Sequence, residues 1–434
     1  MKCNNAVAAL LLRRKGDGST VNLDFTKMSA LDSRFTFTRS TTATYINSSG
    51  YVASAAVNEA RFDYDPTTLA AKGLLIEGSA TNLQRYSATF EITGSYWYQS
   101  LGTNAAGTAA TAPDNTSTPR RLTEPASGTS TGQLQISGAS AGIAASTTYT
   151  VSFWAKAGSR TKVLWRCDGS GKDVGFNLSN GVATVVAGTF TTTRMTAYPN
   201  GWYRCEATWA NVNASGFPSI YLATGTGITY TISYTCNSSY AELWGFQLEL
   251  GTGASSYIPT TTAQVTRSPD LALMTSTNFS SWFTGETTGT FFVDWHGGVR
   301  GLTSTVRSVI STSDQTTKHL HLQQASAAGV LKVADFGAAH SVSTGNSITS
   351  GARTKGAFNF DGATTTVNLC LNGGTVATSS AIAFTVAPTW LVLGGTSTDG
   401  STLTDLTTVL NGSIRQIKYY PTALTSAQLI AMTT

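Results

Sequence analysis

The stretch 240–262, YAELWGFQLELGTGASSYIPTTT, limits most tightly what this chain can become. From residue 243 to residue 250, Phe246, Leu248 and Leu250 alternate with Gln247 and Glu249. That period of two is expected of a strand with one buried and one wet face. The strand stops at Gly251. Gly253, Ser255 and Ser256 then mark a loop, and Pro259 holds Ile258 in an extended conformation. The run TTTAQVTRSPD that follows offers little to bury, so a domain boundary is expected there.

The same style recurs along the chain. Strands are expected over 149–156, 161–167, 201–209 and 219–223, separated by Gly, Ser and Asn clusters with no amphipathic helix between them, which argues for an antiparallel sandwich. In the first of these, Tyr149, Val151, Phe153 and Ala155 share one face, and Thr150, Ser152, Trp154 and Lys156 share the other. Beyond 266, strands are expected at 291–295 and 390–393. A hairpin pairs 357–360 with 366–372 around Asp361-Gly362, and a short helix starts from Thr425. Charged residues are only 12% of the 434, and Thr, Ser, Ala and Gly fill the difference, as suits exposed strands and turns. So long a chain exceeds one core. The expected fold is all-β: two antiparallel β-sandwich (jelly-roll) domains in tandem, 83–265 and 266–434, after an extended N-terminal segment, 1–82. That segment holds little apolar sequence beyond Phe35, Phe37, Tyr45, Ile46 and the GLLIEG of 73–78, so it should lean on the next domain or on another chain.

Several functions are disfavoured. A net charge of +5 with scattered basic residues, the one tight cluster being Arg13-Arg14-Lys15, gives no case for nucleic acid. The apolar run at 6–12 is short for a signal peptide, lacks a cleavage site and is far below membrane-spanning length, so neither export nor membrane insertion is expected; a packed helix or a docking segment fits equally. Five cysteines without a CxxC spacing read as free core thiols of a protein assembled in a reducing cytoplasm. There is no HExxH or P-loop, and no 20–50-residue repeat or heptad run. His319 and His321 share a strand face that reads as solvated, with no further metal ligands indicated. Carboxylate pairs for glycoside hydrolysis could come from Asp168 with Asp173 or Glu206 with Glu249, although spacing along a sandwich says nothing of spacing across it. Calcium could be held by loop carboxylates such as Asp335 and Asp399, without any EF-hand spacing.

WGFQLELG followed by SSYIPTT and TRSPD resembles a signature of bacteriophage virion proteins in which a carbohydrate-binding-module-like jelly roll leads into a laminin-G or concanavalin-like lectin domain. The stretches 37–83, beginning FTRSTTATYINSSG, and 277–295, TNFSSWFTGETTGTFFVDW, resemble the segments that precede and follow such a module, and FWAKAG and YPNGWYRCEATW resemble its strands. The resemblance implies a fibre, tailspike-like adhesin or head-decorating protein. It also implies a homo-oligomer, most simply a trimer, joined to itself and to other virion proteins through residues 1–82. Aromatic residues carry the ligand expectation. Strand parity sets Trp154 and Trp202 opposite the buried sets, where they would form an exposed platform for a host-surface glycan, with Arg204 and Glu206 as hydrogen-bonding neighbours. The alternative is that loops or a neighbouring domain cover this face as well. A decoration protein without a ligand and a polysaccharide depolymerase are the rival functions.

Overall fold

A computed structural model describes residues 17–434 except 93–95, 101, 107–109, 131–132, 137–142, 169–170, 212–216, 284–286, 299–305, 314–317, 326–329, 337–340, 350, 381–387, 398, 400 and 404–407. Residues 1–16, with Cys3, the apolar run at 6–12 and the basic cluster, lie outside the described residues. The other four cysteines are buried free thiols.

Between residues 97 and 250 the chain builds one sandwich. One sheet runs, in spatial order, Thr192–Ala197, Trp202–Asn211, Thr147–Ala157, Tyr240–Leu250, Arg120–Thr123 and Thr103–Ala106. The facing sheet has Lys172–Asn177, Lys162–Asp168 and Phe217–Ala223 at its centre. Thr147–Ala157 is rich in β-branched and aromatic residues and pairs antiparallel on both sides, with Phe153 opposite Cys205 and Trp154 opposite both Arg204 and Trp244. Phe153, Phe246 and Leu248 are fully buried in the core between the sheets, as their parity requires, beside Tyr149, Trp165 and Trp209.

The second sandwich is assembled from both ends of the chain. One sheet places Thr288–His296 and Gly412–Tyr420 side by side, then continues through Ala71–Ile76 and Arg61–Tyr64. Val21–Asp24 pairs with Gly412–Tyr420 as well, Val21 lying opposite Tyr419. In the facing sheet Thr36–Thr38 pairs with Leu271–Thr275. Val21, Leu23, Phe25, Phe37, Leu74 and Ile76 therefore share a core with Phe291, Trp295 and Phe358. The expected hairpin forms between Arg353–Asp361 and Thr366–Leu371, and the helix Ser426–Thr433 starts at a capping box between Thr425 and Gln428.

This corrects the expectation for the N-terminal segment. Its described part, 17–82, is not an extended leader on the middle domain. Too poor in apolar residues to make a core of its own, it completes the core of the C-terminal sandwich, so the apolar surface expected to meet another chain is buried within this one. The middle sandwich is an insertion. The chain leaves for it through Ala80–Asn82 and returns through Val265–Arg267, and these two short strands pair antiparallel with each other.

Beside that crossing lies a buried ionic cluster. The Arg61 guanidinium bonds Glu77 at 2.8 Å and also bonds Asp270, which Arg39 reaches at 3.1 Å and whose Oδ2 accepts from the Glu77 amide at 2.8 Å. Ser256 donates its hydroxyl to Glu77 at 2.6 Å, and Arg267 lies 3.5 Å away. Burial alone would raise the Glu77 pKa, but Arg267, Arg61 and the two Ser256 hydrogen bonds outweigh it and hold the carboxyl well below the usual range. The FTRS, ARFDYD, GLLIEG, SSYIP and TRSPD motifs thus meet at one point.

Candidate functional site

The outer face of the middle sandwich's first sheet is where the candidates lie, and it is not wet. Gln247 and Glu249 are fully buried, whereas Leu250 is half exposed. Their polarity serves the next loop rather than water. Gln247 Oε1 accepts from the Ile258 amide at 2.7 Å, and Glu249 Oε1 accepts from the Ser255 amide at 2.8 Å, so SSYIP folds back across its own strand. Tyr257 then packs against Trp244, with ring centroids 4.8 Å apart and planes tilted by 51°, and meets Trp154 edge-on at 5.5 Å. Gly245 makes this possible. Its φ is +64°, and a Cβ there would meet the Trp154 ring at 2.7 Å, so only glycine fits this register irregularity inside the strand.

From the N-terminal segment, the hairpin of Ala43–Ile46 and Val52–Ala55 closes over the same face, Val52 joining a cluster with Trp154, Tyr198, Trp202, Trp244 and Tyr257. Trp154 and Trp202 are each 1% exposed, which overturns the expected platform while keeping the parity that set them opposite Phe153. Trp202 is fixed inward, donating its indole N–H to the Thr111 carbonyl at 2.7 Å.

Three of the four candidates nevertheless come together. Trp154, Arg204 and Glu206 line a cleft of about 440 Å³ between the two sandwiches and the N-terminal hairpin, within the roughly 300–1,000 Å³ usual for small-molecule sites. Trp202 does not line it. The Arg204 guanidinium lies over the Trp154 ring, 4.7 Å from its centroid, and donates to Ser152 Oγ at 3.0 Å and to the Ser255 carbonyl at 2.8 Å. Exposed Arg194 clasps Glu206 at 2.8 and 2.7 Å. Asp63, whose carboxylate accepts from the Ile46 amide at 2.8 Å, faces Lys72 at 3.1 Å. Tyr198 lies among these charges, and burial is the main cause that pushes its hydroxyl pKa up. His296 and Arg415 enter from the C-terminal sandwich. Burial lowers the His296 pKa, and Lys72 and Arg415 lower it further, which keeps the imidazole neutral at pH 7.

Sequence reasoning missed Asp63, Lys72, Arg194, Tyr198, His296 and Arg415 because the cleft joins elements up to hundreds of positions apart. The one available signal, the DYDP of 63–66, reads only as a turn. Elsewhere, the carboxylates considered for hydrolysis are individually engaged: Asp173 holds Arg166 at 2.8 and 2.7 Å, Glu206 holds Arg194, and Glu249 is buried under its loop. The side chains of Asp168, His319 and Asp335 lie outside the described residues. His321 is 1% exposed, so its strand face is covered rather than solvated. Asp399 binds its own turn, accepting from the Ser401 and Thr402 amides at 2.8 and 2.7 Å.

No protein-family model matches the chain, and no curated protein does. Among solved structures it is similar to the CBM40 of Ruminococcus gnavus IT-sialidase bound to α2,3 sialyllactose, at 20% identity and a TM-score of 0.30 over 34% of this chain and 83% of that one. The heptameric SAP-like pentraxin from Limulus polyphemus is similar at 11% identity and a TM-score of 0.29, over 35% and 71%. A leech intramolecular trans-sialidase is similar at 19% identity and a TM-score of 0.30, over 36% and 24%. Each likeness spans about a third of this chain, and the all-β architecture stands on the chain's own strand pairings.

Proposed function

We propose that this chain is a non-catalytic glycan-binding protein of a bacteriophage particle, a fibre, adhesin or decoration, and that it holds a host-surface polysaccharide in the cleft between its sandwiches. The observation that carries the reading is the cleft itself: Trp154, Arg204 and Glu206, singled out as glycan contacts, line a cavity of about 440 Å³ with buried tyrosines and fixed polar groups. The virion context rests on the sequence motifs alone. Contact in such a cleft differs from stacking on an open platform, because hydrogen bonds from positioned side chains replace the flat aromatic face. Display as a trimer would strengthen weak individual contacts through effective concentration.

The test incubates the full chain with purified bacterial surface polysaccharides. Retention without chain shortening supports the proposal, shortening establishes a depolymerase, and neither leaves a structural decoration protein. Ala70→Trp, which places a large side chain at an exposed cleft position, should abolish retention. Retention by that variant would remove the cleft as the site. Light scattering at the monomer mass would remove the trimer.

A further inference from the structure

The charged groups lining the cleft already have partners. Among the described residues it carries four cations, Lys72, Arg194, Arg204 and Arg415, and four anions, Asp63, Asp65, Glu77 and Glu206. Arg194 engages Glu206 through both carboxylate oxygens, and Lys72 engages Asp63. Arg204 is held by Ser152 and the Ser255 carbonyl, with Glu206 3.9 Å from its Nε. Arg415 donates to the Ala71 carbonyl at 2.6 Å and lies 3.6 Å from Asp294. On the acidic side, Glu77 belongs to the ionic cluster, and Asp65 accepts from the Thr67 and Thr68 amides at 3.0 and 2.8 Å. His296 adds no charge at neutral pH.

A site built for an acidic ligand presents a cation ready for bidentate capture. Here four cations are already matched by four anions, and a ligand carboxylate would compete with Glu206 for Arg194 and with Asp63 for Lys72. A neutral hydroxyl faces no such conflict. It donates to a remaining lone pair of Glu206 or Asp63 and accepts from the unused N–H groups of Arg194 or Lys72, leaving each pair intact.

We propose that the cleft takes neutral, polyhydroxylated oligosaccharides and discriminates against sialylated, uronate-containing and other anionic glycans; this rests on the glycan-binding reading above. The test is isothermal titration of the full chain with matched pairs, lactose against 3′-sialyllactose and oligoglucose or oligogalactose against the corresponding oligouronates. The expected result is that at least one neutral member binds about tenfold or more tighter than its acidic counterpart. That binding should be lost in Ala70→Trp and unchanged between about 50 mM and about 500 mM NaCl. Asp63→Asn, which releases Lys72, should raise affinity for the acidic member of the pair; if this variant does not fold, the salt series on the unaltered chain still decides. Acidic members binding more tightly, with loss in Ala70→Trp and weakening in salt, would overturn the selectivity while leaving a glycan site. Absence of binding by every member would overturn both.

Discussion

The two sandwiches reach the same architecture by opposite routes. The middle one is drawn from a single run of chain, and each of its two sheets is complete within that run. The terminal one needs strands from residues 21–76 and from residues 271–420 in both of its sheets. Its folding must therefore close a loop that contains the other domain, and the ribbon of Ala80–Asn82 with Val265–Arg267 brings the ends of that loop together. An apolar-poor segment can thus be indispensable when the core it serves lies elsewhere in the chain.

Deleting residues 17–82 should break the comparison most severely. The terminal sandwich would lose the strands on one flank of Gly412–Tyr420 together with their core residues, and calorimetry should show its transition vanish while a weakened middle transition remains. Two surviving transitions would show that the N-terminal strands are accessories.

Next come substitutions confined to one region. Glu77→Gln removes one partner from a buried ionic network and should cost about 3–5 kcal/mol in the terminal sandwich, read from urea midpoints. The same residue sets a pH dependence. Its folded pKa lies below the roughly 4.3 of an unfolded glutamate, so its stabilisation is complete above that value and is lost as pH falls toward the folded pKa. The unaltered chain should weaken between about pH 5 and about pH 3, and Glu77→Gln should weaken less steeply over that interval; parallel slopes would assign acid sensitivity to other carboxylates.

Phe246→Ala and Trp154→Ala sharpen the picture within the middle sandwich. Each should cost about 3–5 kcal/mol, since both residues are buried, one on each face of the same sheet. A loss under about 1 kcal/mol for Trp154→Ala alone would restore an exposed face. Ala70→Trp, at an exposed position, should change stability by less than about 0.5 kcal/mol while closing the cleft.

These contrasts explain what was legible in the sequence. Local patterns hold where a strand's own alternation or a helix's own cap decides the outcome: Phe153, Phe246 and Leu248 are core residues, and the strand at 390–393 and the helix after Thr425 lie where their residues place them. Parity also separates Trp154 from Phe153 correctly. It cannot say whether the second face meets water, because the cover over Trp154 comes from Val52 and Tyr257, each about a hundred positions away in opposite directions. Gln247 and Glu249 mislead for a related reason. A buried polar side chain that binds a loop's backbone has the same periodicity as one facing solvent. The cleft combines both difficulties, which is why Trp154, Arg204 and Glu206 could be named from the sequence while Lys72 and Arg415 could not.

The antiparallel pairing of Val21–Asp24 with Gly412–Tyr420 has a mechanical consequence. Val21 lies opposite Tyr419, so tension applied through the preceding and following segments enters at one end of this strand pair and would unzip it bond by bond rather than shear it. The middle sandwich is inserted between Ala80–Asn82 and Val265–Arg267, away from the strand pair that takes the load. Pulling the two ends apart in an optical trap should open the terminal sandwich at low force while the inserted domain stays folded, so a tug on the ends would spare the shape of the cleft's middle-domain wall.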